Sequence, residues 1–181
     1  MPAVAECLAE AGVKRQEIGR IVCGAGPGSF TSLRVAASVS KGLAAGLGVE
    51  LYGVSSLLLT VFGAQPPVPS GEYLSVLDAM RGEFFAARIA FAPGAAAMQP
   101  EPPVIISAER LKEIHLAERS LKIIGPGQQI DAHPHARGVA ALLPALIATG
   151  PVNLEAWEPD YGRLAEAQVR WEAAHGRPLA T

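Results

Sequence analysis

Three glycines at alternate positions, Gly24, Gly26 and Gly28, stand directly before Ser29 and Thr31. That spacing can gather backbone N–H groups at the start of a helix, where an anion is stabilised. The residues alone leave two readings open. Gly24, Gly26, Gly28 and Ser29 form an anion loop, or they form a tight turn that side chains could not enter. A P-loop is excluded, because Phe30 stands where a lysine would precede the hydroxyl residue, and Ser29 replaces the third glycine of the dinucleotide pattern. Asp78, Arg81 and Glu83 flank one turn, which suits either local ion pairing or a hairpin tip that touches a partner. His133 and His135 around a proline, with Asp131 nearby, are too few donors at the wrong spacing for a metal. Serines are plentiful, but there is no Gly-x-Ser-x-Gly elbow and no His and Asp to serve one. The sequence nominates no catalytic constellation, no metal site and no cofactor.

The loop must be held by the elements on either side of it. Arg20 to Gly24 reads as a strand that empties into the glycines, and Thr31 to Leu47 as a long helix without proline and rich in Ala and Leu. Leu33, Ala37, Ser40, Ala44 and Leu47 share one face of that helix, and Val35, Val39 and Leu43 form a second apolar row. Ser38, Gly42 and Gly46 make a third row, of small residues at spacing four, along which another helix could approach closely. Arg34 and Lys41 are its charges. A helix so apolar or small around its circumference calls for cover on more than one side, and the second cover is expected from another chain.

Val49 to Val54 reads as a second strand and Ser55-Ser56 as the cap of a helix through Ala64, so strand, helix, strand and helix predict a parallel βαβ unit. Pro2 to Ala11 is a short helix closed by Gly12. Gln65 to Gly71 holds three prolines and is read as a lobe boundary. Beyond it come a hairpin (Tyr73 to Ala79, Glu83 to Phe91), a strand at Val104 to Ile106, and a helix over Ala108 to Leu116 capped by Ser107. A strand at Leu121 to Ile124 and a helix over Arg137 to Thr149, kinked at Pro144, complete this part. Tyr161 to Ala174 has the pattern of a short amphipathic helix.

At 181 residues with 50% hydrophobic content and a mean hydropathy of +0.27, the chain has ample material for a core. A net charge of −2 offers no basic field for gripping RNA. Cys7 and Cys23 form no framework of spaced cysteines, and no stretch has the features of a signal peptide or a membrane span. The expected location is cytoplasmic.

Gly26-Pro-Gly-Ser-Phe-Thr-Ser-Leu-Arg-Val35, Ser40 to Ala44, Gly53-Val-Ser-Ser-Leu57, Leu77 to Phe85, Gly125-Pro-Gly127 and Glu158-Pro-Asp-Tyr161 together resemble the signature of the TsaB (YeaZ) family, which serves in making threonylcarbamoyladenosine in tRNA. Ser32 stands where that family usually has glycine. The resemblance implies an α/β chain with a truncated actin/Hsp70/sugar-kinase-like (RNase H-like) two-lobe fold. It places the remnant of a first lobe at residues 1–65 with a dimerisation helix at 31–47, a second lobe at 66–157 and a helical tail at 158–181. The family's opening three-stranded meander has no counterpart before Met1, so one edge of the strand at Arg20 to Cys23 is expected to be unpaired. The resemblance further implies a non-catalytic subunit that supports a TsaD-like catalytic subunit, with a TsaE-like ATPase joining, a possible homodimer, tRNA touched only indirectly, and no membrane. Thr31, Leu33, Arg34, Ser38, Lys41, Gly42, Gly46 and Arg81 are the expected partner contacts. The alternatives are an ATP-binding or peptidase-like enzyme of the same superfamily, or a truncated relative without a function of its own.

Overall fold

A computed structural model describes residues 2–92, 102–162 and His175. The described chain begins with α1 (Pro2–Ala11), whose Val4 and Leu8 are half-buried while the rest of the helix is exposed. β1 (Arg20–Gly26) then leads through the glycine loop into α2 (Phe30–Leu47), and β2 (Glu50–Ser55) pairs parallel to β1 from Arg20 opposite Glu50 to Gly24 opposite Val54. The predicted βαβ unit is therefore present. Gly48 ends α2 at φ 66°, its N–H reaching the carbonyls of Ala44 and Ala45, a left-handed cap that glycine adopts without steric cost.

α3 (Ser56–Phe62) follows β2 directly, with Ser55 in the N-cap position but making no side-chain cap bond. A five-stranded sheet is built next, in the order β5-β4-β3-β6-β7. Its strands are β3 (Gly71–Asp78), β4 (Glu83–Phe91), β5 (Val104–Ser107), β6 (Lys122–Gly125) and β7 (Ile130–Asp131). β3 and β4 are the predicted hairpin. Met80, Arg81 and Gly82 at its tip all have positive φ, and the turn is closed by Ala79 N–H donating to the Glu83 carbonyl and Met80 N–H to Asp78 Oδ1. α4 (Ala108–Ala117) is capped as the sequence predicts: Ser107 Oγ accepts the Arg110 N–H at 3.1 Å. α5 (Val139–Thr149) carries Pro144 in its interior and runs as one helix.

Each face of the larger sheet has its own core. Tyr73, Phe85, Ala87, Ile89 and Ile124 pack on Leu57 and Val61 of α3, while Leu74, Val76, Ala86 and Ile123 pack on Leu111 of α4. The buried Ser75 Oγ donates to the Leu57 carbonyl at 2.9 Å and fastens α3 to β3. α5 turns back to the first sheet, where Leu142 meets Val54 and Leu59. The amphipathic pattern assigned to residues 161–174 lies outside the described residues from 163 onward.

Candidate functional site

α2 sits on the two-stranded sheet through Leu33, Ala37 and Ala44, with Cys23 and Leu51 beneath it. Burial pushes the Cys23 thiol up, opposed by a hydrogen bond with Ser40, so the thiol form is favoured there. The opposite side of α2 is open. Thr31, Arg34, Ser38, Gly42 and Gly46 are exposed, and Val35 is 59% exposed. A side chain added at Gly42 or Gly46 would meet no atom within 4 Å. The small-residue row that the sequence singled out thus forms one stripe left uncovered among the described residues, with Arg34 at its upper end. Lys41 lies to its side, half-buried, its Nζ donating to the Glu155 carbonyl at 3.4 Å.

Of the expected contact residues on α2, Leu33 faces inward. Leu33 is 7% exposed and packs under the glycine loop, 3.3 Å from where a Gly26 side chain would begin, so it is part of the core and not of the open stripe. Its place in an apolar row of α2 gave no means of telling which side that row faces. Arg81 stands in the β3–β4 turn, where the sequence reading has it.

The glycine loop is covered by residues 157–161. Asp160 N–H donates to the Ala25 carbonyl at 2.7 Å, and the Asp160 carbonyl stands where a side chain at Gly26 would have to be. Gly26 has φ 99°, so both the backbone conformation and the close approach require glycine. Gly24 faces Ser56 Oγ and Gly28 faces Leu33, each with 4.0 Å to a would-be side chain. Ser29 holds the N-cap position of α2 and makes no side-chain cap bond. Beside the loop the Tyr161 and Phe30 rings meet at 4.6 Å, and the Arg34 guanidinium lies 4.9 Å from the Phe30 centroid. Trp157 reaches the same region, its Nε1 3.3 Å from the space beside Gly53. Sequence reasoning assigned none of Phe30, Trp157 and Tyr161 to the site; the available signal was that Phe30 and Tyr161 both lie within the quoted signature stretches.

Chemistry-bearing side chains elsewhere are engaged in structure. His135 Nδ1 accepts the Arg137 N–H at 3.1 Å and its other ring nitrogen lies 2.9 Å from the Arg137 guanidinium. Among the described residues no three of His, Cys, Asp and Glu are grouped as a metal would need, and no helix is long and apolar enough to cross a membrane.

Comparison with known proteins gives this surface its context. Residues 1–114 match the family model described as TsaD, tRNA N6-adenosine threonylcarbamoyltransferase. The tRNA threonylcarbamoyladenosine biosynthesis protein TsaB of Bacillus subtilis is 26% identical over 187 residues, covering 94% of this chain and 81% of that protein. The chain belongs to the TsaB (YeaZ) family. TsaB of Escherichia coli is 33% identical over 85 residues, a match taking in 47% of this chain and about a third (37%) of that protein's length. YeaZ from Pseudomonas aeruginosa superposes with a TM-score of 0.73 and 26% identity over 88% of this chain and 81% of the other. The architecture is accordingly the actin-like, RNase H-like fold of YeaZ. In this TsaB-family chain the quoted signature residues 26–35 are the loop and first turns of α2, and include Arg34 at the head of the open stripe.

Proposed function

We propose that this chain is a non-catalytic scaffold subunit in the making of tRNA N6-threonylcarbamoyladenosine, and that it holds a TsaD-like catalytic subunit through the open stripe of α2. The single observation that carries the reading is that stripe: Arg34, Ser38, Gly42 and Gly46 at spacing four, exposed on a helix whose composition suits burial. Small residues let a second helix come close, and the exposed Val35 supplies apolar area to the contact. Its TsaB-named relatives support the pathway. The net charge of −2 supports contact with tRNA through partners instead of directly. A TsaE-like ATPase would join the assembly, which would work in the cytoplasm, and a homodimer through the same stripe would compete with the mixed pair.

Co-purification tests this. The chain, expressed with a TsaD-like protein, is expected to retain it on a column, and Ser38→Trp on the exposed stripe is expected to release it while the circular dichroism of the fold is unchanged. Retention of the TsaD-like protein by Ser38→Trp at unchanged affinity sinks the assignment of the surface. Threonylcarbamoyl transfer or ATP hydrolysis by the chain alone, abolished by a point change within it, sinks the non-catalytic reading.

A further inference from the structure

Strands lie about 4.8 Å apart, so five of them are wider than one helix of about 10 Å. On the face of the larger sheet that packs against Leu111, α4 is the helix that covers it among the described residues. Beside α4, toward β6 and the turn that follows it, a cavity of about 630 Å³ remains, a volume in the range of small-molecule sites. Its apolar walls come from Phe84 of β4, Leu111 and Leu116 of α4, and Ile123 of β6. Leu116, 69% exposed, forms the lip.

The polar groups of this cavity are of one kind. Lys112 and His115, three residues apart on α4, line it with Gln128 and Gln129, and among the described residues no carboxylate does. Gln129 Oε1 already accepts the Ile123 N–H at 3.4 Å, which turns its amide donor away from that strand. The acids of α4 are engaged off the cavity. Glu109 accepts its own backbone N–H and the Ser107 hydroxyl at the helix N-terminus and also feels the charge of Lys112, and Glu113 pairs with Arg110 at 2.9 Å. Gln128 Nε2 donates to the Pro126 carbonyl at 3.5 Å, so Lys112, His115 and the Gln129 amide are the donors left to a ligand, and an apolar pocket with such donors is complementary to an acceptor-only head on an apolar body.

We propose that this cavity binds a small amphipathic monoanion, a carboxylate on an aliphatic body, with the body against Phe84, Leu111, Leu116 and Ile123 and the carboxylate at Lys112 and His115. The site is separate from the α2 stripe and does not depend on it. It is tested by titrating the isotope-labelled full chain with octanoate and, in parallel, with the neutral octanamide, followed by two-dimensional NMR. Saturable shifts confined to α4, β6 with the turn that follows it, and β4 around Phe84 are expected, with octanoate about tenfold tighter, the ratio for one charge-assisted hydrogen bond. Lys112→Glu is expected to abolish that preference, and Ala108→Phe to block both ligands by filling the cavity. Should Ala108→Phe fail to fold, Leu116→Asp at the exposed lip is expected to weaken both. Equal affinity for octanoate and octanamide identifies a purely apolar groove, such as a partner helix would fill, and overturns the anion assignment. Shifts that do not saturate, or that fall on the α2 stripe, overturn the site itself.

Discussion

Two helices, α2 rich in Ala, Ser and Gly and α3 rich in Leu, meet opposite fates in this molecule. α3 is 7 residues long and buries five of them, Ser56, Leu57, Leu59, Thr60 and Val61; α2 is 18 residues long and buries three, Leu33, Ala37 and Ala44. The difference lies in what surrounds them. α3 stands where the first sheet hands over to the second, with Leu57 and Val61 in one core and Leu59 in another. α2 rests on a sheet of two strands, and among the described residues β2 is the strand partner of β1. Apolar character alone therefore does not decide burial. The buried helix holds the fold together, and the more exposed one carries the surface proposed for a partner.

The largest effect on stability is expected where α3 is deepest. Leu57 is fully buried, so Leu57→Ala is expected to cost about 2–5 kcal/mol in denaturant unfolding. A loss below about 1 kcal/mol, the usual size for a surface change, would erase the contrast between the two helices. Next comes the glycine loop at the head of α2. Gly26→Ala meets both a φ of 99° and the Asp160 carbonyl, and is expected to cost about 1–3 kcal/mol. The same change is expected to unseat Trp157, read as a red-shifted emission in a Trp171→Phe background. An unchanged spectrum would show that residues 157–161 are held without the loop.

These two sites also show what could be read from the chain and what could not. The strand–loop–helix unit was legible because its signals are local: the glycine run, the proline-free helix and Gly48 lie within one continuous stretch. The β3–β4 hairpin was legible for the same reason. β7 was not, since two residues, Ile130 and Asp131, carry no periodicity. The return of α5 to β2 was hidden because its apolar residues suit either sheet. The partner of Gly26 was hidden because Asp160 is far away in sequence, so the need for glycine at Gly26 was visible while its cause was not. The open stripe of α2 was visible as a pattern of small residues, but the inward position of Leu33 required knowing which row meets the sheet.

A smaller effect is expected at the start of α4, a helix covered on one side. Ser107→Ala removes the acceptor for the Arg110 N–H and is expected to cost about 1 kcal/mol at neutral pH. Backbone and Ser107 hydrogen bonds hold the Glu109 carboxylate below its ordinary range, so its contribution is present above the unfolded carboxylate pKa and is lost as pH falls through the folded one. The deficit of Ser107→Ala is thus expected to shrink on acidification, leaving the cap bond alone. A deficit that is constant, or that grows toward acid, would separate Ser107 from Glu109.

The smallest effect on the fold is expected at Gly42, and it divides the two helices most cleanly. A leucine there points into open space and replaces the poorest non-proline helix former, so stability is expected to hold or to rise by up to about 1 kcal/mol. The same side chain stands in the middle of the stripe between Ser38 and Gly46, where it would keep another helix from approaching closely. Sedimentation is expected to show any self-associated form of the chain dissociating at least tenfold more readily in Gly42→Leu. Self-association that survives with the fold intact would place the contact elsewhere, with the edge of β1 that is unpaired among the described residues the next surface to examine. Loss of both fold and association would mean that α2, like α3, serves its own chain first.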